Sequence, residues 1–391
     1  MLTYYTAGES HGRGSFCFVD HFPAGLAIEP EDINFWLAER QKGYGRGGRQ
    51  RIERDEVDVL SGIRGGVTMG SPILMAVWNR DYKNWEEAMH PWNPPSGPRA
   101  ERVVEPRPGH ADLVGALKYE TDDCRNILER ASARETAGRV AAGALCRKLL
   151  AEFGVGVAAH VVKIGPIEAN SDAVPSPEIH ERSMANDVRC CDPEAAQKMR
   201  EVITDAKKRK DSLGGVVEAR AWGVPPGLGS HVQWDRKLDA RIARLMVSIQ
   251  AVKGVEIGIG FRGAGRFGSE FHDEILRTEE TRAGSHYTHP SNHAGGTEGG
   301  MSTGEEVVVR VMKKPISTLM QPLRSVNLDT KEDALAVLER SDTCAVPALA
   351  IIVESTLCIA LAEAFLEKFG SDTVAEMKRN HTAYLETIAK R

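Results

Sequence analysis

The sequence predicts a mixed α/β protein whose strands fall into two related sets, and three observations carry that expectation. Short apolar runs bounded by glycine-rich turns, such as Ser15–Asp20, Val57–Leu60 and Ile73–Trp78, have the length and punctuation of strands. Two longer stretches, Thr136–Phe153 and Pro347–Phe369, are helical in pattern, the second apolar enough to be buried. The third observation is a recurrence. Phe18-Val-Asp-His-Phe-Pro23-Ala-Gly25-Leu resembles Arg220-Ala-Trp-Gly-Val-Pro225-Pro-Gly227-Leu. Gly65-Gly-Val-Thr-Met-Gly70, followed by a strand, resembles Gly299-Gly-Met-Ser-Thr-Gly304, followed by Val307–Met312. Repeats of this kind point to an internal duplication.

In chain order, Gly8-Glu-Ser-His11-Gly12 is a tight turn before the first clear strand. A histidine between glycines is poorly shielded and can meet a ligand, although a hydrogen-bonded turn histidine reads the same way. Residues 37–54 place Arg40, Arg46, Arg49, Arg51 and Arg54 beside four glycines, a composition that wraps phosphate or carboxylate groups. Read blandly, it is a surface loop or an RNA patch, but Tyr44 is the single aromatic available for stacking. Residues 79–108 carry Trp85, Trp92 and many prolines; a stretch this long is a flap, an oligomer contact or a disordered loop. Glu105–Asp112 and Arg125–Ala144 then gather Arg107, His110, Asp112, Arg125, Arg130, Arg134 and Arg139 beside Pro108-Gly109 and Ala131-Ser132-Ala133. A helix start among guanidinium groups binds anions through free N–H groups and through fixed charge, against the plain alternative of a solvated Arg/Glu helix face.

Further on, Val155–Ile164 reads as a strand, Glu168–Glu178 as a linker, Pro193–Lys210 as a charged surface helix and Leu238–Ser248 as a helix. Residues 263–304 form a second long loop, read as a mobile lid over a ligand. Its His286, His289 and His293 invite a metal, but Pro290 and the glycines oppose the helix that would align them, so no metal is expected. Lys313 to Thr318 follow, then a helix from near Lys331 closed by Arg340-Ser341-Asp342.

Composition is that of a soluble globular chain: 391 residues, 41% hydrophobic, 27% charged, net charge −5. An acidic total argues against a general nucleic-acid binder, so positive field must be local. The first residues lack a basic segment followed by an apolar run, so no signal peptide is expected, and the apolar run Ala345–Val353 stops at Glu354, short of a bilayer span. Seven cysteines without a C-x-x-C pair suggest reduced thiols in the cytoplasm. No strand-GxGxxG-helix unit with a following acid supports a dinucleotide fold. A metal-dependent phosphohydrolase using the histidine loop and an RNA binder using the Arg/Gly loop are the rival readings.

The motifs GESHG (8–12), RPGHAD (107–112), RASARETAGRVAAGA (130–144), SIQAVKG (248–254), SNHAGGTEGG (291–300), KKPIS (313–317) and RSD (340–342) together resemble the chorismate synthase family, in order and spacing from Gly8 to Val353. Ala131 stands where Ser is common in the family, and Ser341 where many members have His. The resemblance implies one α/β (α+β) domain over residues 1–391, with helices sandwiched between two antiparallel sheets, assembled as a homotetramer. It implies 5-enolpyruvylshikimate 3-phosphate as substrate and anti-elimination of phosphate and a ring proton to give chorismate, on the shikimate route to aromatic amino acids. It also implies reduced FMN without net redox change, with NADPH only as a possible flavin reductant and an external reductant as the default. By resemblance, Arg130, Ala131, Ser132, Gln250, Ala251, Gly299, Lys314, Pro315, Ile316, Ser317, Thr318 and Arg340 hold the flavin. Arg40 and Arg46 match positions that bind NADP or substrate, and Arg49, Arg107 and Arg134 add charge suited to two carboxylates and phosphates. His11 and His110 match proton donors, toward the leaving phosphate and toward the flavin; Asp342 matches a residue that helps remove the substrate proton.

Overall fold

The recurring Pro-x-Gly-Leu and Gly-Gly segments set the plan of the molecule. The structure, a computed structural model, describes residues 2–47, 54–170, 173–339 and 341–391. In the first half, Thr68 Oγ1 donates to the Pro23 carbonyl at 2.6 Å and accepts from Leu26 N at 3.0 Å, while Gly25 N donates to the Thr68 carbonyl at 2.9 Å. In the second half, Ser302 Oγ donates to the Pro225 carbonyl at 2.7 Å and accepts from Leu228 N at 2.8 Å, and Gly227 N donates to the Ser302 carbonyl at 2.7 Å. The hairpins that present these hydroxyls turn on Gly65-Gly66 (φ 58° and 74°) and Gly299-Gly300 (φ 58° and 86°). Positive φ at both central residues is what a two-residue hairpin loop of type I′ requires. The duplication read from the sequence is built into the fold.

The sheets repeat the same plan. β1 (Thr3–Ala7), β2 (Gly14–Asp20), β3 (Val57–Ser61) and β4 (Ile73–Trp78) form an antiparallel sheet in the order β1-β2-β4-β3. β5 (Gly156–Ile164), β6 (Ile167–Glu168), β7 (Gly215–Trp222), β8 (Val252–Ile257) and β9 (Val307–Lys313) form a second, in the order β8-β9-β7-β5-β6. Apart from the added β6, strands β5, β7, β9 and β8 hold the places of β1, β2, β4 and β3.

Among the described residues, nine helices of seven residues or more accompany the sheets. The first half supplies α1 (Pro30–Gln41), the short α2 (Asp112–Tyr119) and α3 (Arg125–Ala131), and α4 (Thr136–Ala151). The second supplies α5 (Ser176–Met184), α6 (Pro193–Lys208), α7 (Leu238–Val247), α8 (Val346–Phe369) and the C-terminal α9 (Val374–Ile388). Helix α4 packs on β1, β2 and β4 on one side and on α8 on the other, and α8 packs on β5 and β7. The helical layer is therefore sandwiched between two antiparallel sheets. Small residues permit this: a Cβ on Gly138 would lie 2.9 Å from the Phe16 carbonyl oxygen, and one on Gly143 would lie 2.4 Å from Ser355 Cβ. Helix α8 is long and apolar enough to cross a membrane, but its apolar window is wholly buried, and its Glu354 pairs with Arg147 of α4.

Helices do not cover the two sheets alike. On the outer face of the second sheet, Ile179 of α5 and Cys191 pack on Ala158 and Val174, above a buried ionic group. There Glu218 accepts from Arg220 Nε at 2.7 Å and Arg310 Nε at 2.6 Å, with His160 Nε2 at 3.4 Å. Two expectations are corrected. Among the described residues no helix runs from Lys331. Asn327 Oδ1 instead accepts from Asp329 N and Thr330 N at 2.9 and 3.0 Å, Lys331 takes φ 67°, and Arg324–Val326 pairs with Asp333–Leu335 as a hairpin. An Asx turn has overridden the helical pattern. Likewise residues 263–304 contain regular structure, including a hairpin of Leu276–Arg282 with Ser285–Thr288 turning on Ala283-Gly284.

Candidate active site

The charged residues of the 105–144 stretch meet the turns at 8–12 and 313–318 at one end of the helical layer. His11 is held by Glu129 of α3, whose Oε2 accepts from His11 N and whose Oε1 lies 2.8 Å from His11 Nδ1. Burial presses the Glu129 carboxyl upward, but His11, with Arg125 behind it, leaves it below its ordinary value. The ring of His11 stacks on Trp85, centroids 3.7 Å apart.

His110 is built the same way from different parts. Its Nδ1 hydrogen-bonds Asp112 Oδ1 at the start of α2. Asp112 is fully buried and also accepts from Arg107 Nε at 2.8 Å and Arg107 N at 3.1 Å. Burial presses this carboxyl upward too; His110 and Arg107 outweigh it and hold Asp112 well below the usual carboxylate range. Arg125 lies 3.5 Å from Glu129 and 4.0 Å from Glu339, and Glu339 lies 3.6 Å from Arg107. Charged groups thus run continuously from one histidine to the other.

The arginines expected to bind anions are likewise paired. Asp55, buried, accepts from Arg40 Nη2 at 2.5 Å and Arg134 Nη1 at 2.7 Å. Arg46 Nη1 donates to Asp342 Oδ2 at 2.7 Å, and Gly47 N donates to Asp342 Oδ1 at 2.6 Å. Burial lowers the Arg46 guanidinium from its ordinary value against the pull of Asp342, with Arg40 adding to the depression.

Around them the remaining turns interlock. Arg130 donates to the Thr6 carbonyl at 2.7 Å and the Gly8 carbonyl at 3.2 Å, and Ser132 Oγ meets Ser10 Oγ at 3.2 Å. Gln250 Nε2 donates to Glu135 Oε2 at 3.0 Å, while its Oε1 is buried without a hydrogen-bond partner among the described residues. Ala251 holds φ 67°, rare for a residue with a side chain, and its carbonyl accepts from Lys314 N at 3.0 Å. Lys314 Nζ reaches the Gly109 carbonyl, Arg107 Nη1 donates to Thr318 Oγ1 at 3.0 Å, and Ser212 Oγ donates to the Ile316 carbonyl at 2.7 Å.

His11, His110, Arg40, Arg46, Arg107, Arg130, Ser132, Arg134, Gln250, Ala251, Lys314, Thr318 and Asp342 therefore belong to connected surroundings, with Ala131, Pro315, Ile316 and Ser317 on the same turns. Gly299 sits apart in its hairpin turn, where a Cβ would meet only His231, 4.0 Å away. Arg49, Arg51 and Arg340 lie outside the described residues. The three loop histidines have separate partners: His286 Nδ1 the Thr278 carbonyl, His289 N the Glu305 carboxylate, and His293 Nδ1 the Phe271 carbonyl. Sequence reasoning missed Glu129, Asp55, Glu339 and the stacking of Trp85. The available signal was charge balance: buried arginines in a net-acidic chain need carboxylates facing them.

The fold is thus two duplicated antiparallel sheets around a helical layer, with paired His–carboxylate groups among arginines. Residues 2–366 match the family model described as chorismate synthase, and the chain belongs to that family. It is 52% identical over 388 residues to a protein named chorismate synthase from Trichlorobacter lovleyi, covering 98% of each. The corresponding protein of Symbiobacterium thermophilum is 55% identical over 395 residues, covering 100% of each, and that of Desulforudis audaxviator 54% over 389 residues, covering 99% of this chain and 98% of that one. Among solved structures, a crystal structure of chorismate synthase superposes with a TM-score of 0.79 at 40% identity, covering 100% of this chain and 99% of that one.

Proposed function

We propose that this chain converts 5-enolpyruvylshikimate 3-phosphate to chorismate by anti-elimination of phosphate and a ring proton. The observation that carries the reading is the pair of histidines, each backed by a buried carboxylate and linked through Arg125, Glu339 and Arg107. A carboxylate on Nδ1 keeps the proton there and commits Nε2 to proton exchange. At His11, Nε2 would hold the proton given to the leaving phosphate. At His110, Nε2 would hold a second proton within the same charged surroundings. Arg40 and Arg134 would take substrate anions while Asp55 tempers their mutual repulsion, and Arg46 would orient the Asp342 carboxylate for the ring proton.

The residues also fit reduced FMN. The orphaned acceptor Gln250 Oε1 suits a ring N–H, the strained Ala251 exposes backbone, and Arg130 and Lys314 suit a phosphate. Arg130, Ala131, Ser132, Gln250, Ala251 and Lys314 to Thr318 would hold it, with Gly299 and Arg340 assigned by resemblance alone. When bound, FMN supplies electron density for expelling phosphate with no net oxidation. NADPH would serve only to reduce the flavin. The setting is the cytoplasm, which suits seven buried free thiols, and the assembly is a homotetramer. Anaerobic phosphate release from the substrate with photoreduced FMN tests the reading. Turnover that needs reduced FMN and ignores chelators is expected; none with reduced FMN, or release requiring a divalent metal, overturns it.

A further inference from the structure

We propose that Trp85 and Glu129 are positioning residues for His11, clamping its imidazole between an indole face and a buried carboxylate. The segment 79–108 is then a wall of the site. The inference deepens the function proposed above and rests on it for its kinetic arm. The contacts define a clamp with two sides. Glu129 takes both the backbone N–H and the ring Nδ1 of His11, each at 2.8 Å, so the ring cannot rotate without losing a charge-assisted bond. Trp85 covers the ring with 24° between the planes. Arg125 serves both sides, 3.5 Å from Glu129 and 5.4 Å from the Trp85 ring centre, and Arg99 lies 4.5 Å from that centre.

The Trp85 segment is tied down at the histidine turn itself. Asn79 Nδ2 donates to the Gly12 carbonyl at 2.9 Å, and Asn79 N donates to the Arg13 carbonyl at 2.8 Å. Trp85 Nε1 donates to Asp81 Oδ2 at 3.2 Å. The other tryptophan of the segment, Trp92, is 88% exposed, so only Trp85 is turned onto the site. Segment and histidine thus share one foundation, and a stacked ring is held where a general acid has to be aimed.

The test uses the full chain with FMN and the variants Trp85→Ala, Trp85→Phe, Glu129→Gln and His11→Ala. Trp85→Ala and Glu129→Gln should lower kcat by about ten- to hundredfold, the scale of a misplaced catalytic group, with KM and oxidised-FMN binding within about twofold of wild type. Trp85→Phe, which keeps an aromatic face, should recover most of the loss. Added to His11→Ala, neither change should cost more, because residues acting through one another are non-additive. Full turnover in Trp85→Ala, or losses that add to that of His11→Ala, overturns the clamp. Fluorescence reads the stack without turnover. His11→Ala should change tryptophan emission in the wild-type background and leave it unchanged in the Trp85→Phe background. Identical emission with and without His11 removes the stack even if the enzyme is active. A wild-type protein that releases no phosphate removes the function and leaves the fluorescence arm to decide the clamp.

Discussion

A histidine becomes a directed proton carrier once one ring nitrogen is committed to an acceptor that cannot leave. At His110 the acceptor is doubly fixed, since Arg107 engages Asp112 through both its guanidinium and its backbone N–H. His11→Ala and His110→Ala should therefore fold and bind FMN but lose about 10²–10⁴-fold in single-turnover phosphate release. If the histidines merely pinned turns, melting temperature would fall while turnover per folded molecule stayed near wild type. Lys313 makes a different case. It closes β9 facing the interior, and burial, aided by Arg46 and Lys314 against Cys344 and Asp342, brings its ammonium down to about 8. Above that pH the folded chain has released a proton that the unfolded chain keeps until about 10.4, so stability rises with pH across this window. Lys313→Met should thus be more stable than wild type at pH 7, with the gap closing between pH 8 and about 10.4. Urea denaturation at several pH values reads it; a constant gap would show that the ammonium contributes no linkage. The cations of the site were legible because Arg, His and Gly concentrate in a few turns. Their acids were not, because His11 and Glu129 stand 118 positions apart and only folding pairs them.

At the scale of elements, the duplicated hydroxyl clamps are the most exacting local feature. Thr68 and Ser302 each satisfy one backbone N–H and one carbonyl that are otherwise buried without partners. Thr68→Val and Ser302→Ala should each destabilise the protein by about 1–3 kcal/mol, the cost of an unsatisfied buried polar group. Thr68→Ser should be nearly neutral, because serine already does this work in the second half. Chemical denaturation of the four proteins checks the set, and a tolerated Thr68→Val would show that water replaces the hydroxyl. These clamps also explain why the repeat could be read from so few residues: Pro, Gly and a hydroxyl at fixed offsets are demanded by the backbone. Helices α4 and α8 were legible for another reason, their burial, which leaves small or apolar residues on nearly every face. The hairpin at 324–335 was not, since Lys331–Arg340 has helical spacing and the Asn327 turn that overrides it lies before the pattern begins.

The two halves differ most in what covers them, and this asymmetry bears on the whole molecule. Helix α5 shields the outer face of the second sheet, whereas that of the first leaves Tyr5, Phe18, Leu60 and Trp78 exposed. A second set of exposed apolar side chains lies on α2 and the segment after Thr318: Leu113, Val114, Leu117, Tyr119, Met320, Leu323, Leu335 and Leu338. Exposed apolar side chains in such numbers suit an interaction face. The homotetramer proposed above, built as a pair of two-fold symmetric dimers, would need two different self-complementary interfaces, and the two exposed apolar sets would supply them. Tyr5 is 66% exposed and Leu117 70% exposed, so a charge at either position disturbs little of the protomer's own core. Tyr5→Asp and Leu117→Asp should each stop assembly at the dimer, and the double variant should be monomeric while keeping its far-ultraviolet circular dichroism. Sedimentation velocity reads all three. If Tyr5→Asp still sediments as a tetramer, the first sheet's bare face is not an interface, and a tetrameric Leu117→Asp removes the α2 face in the same way.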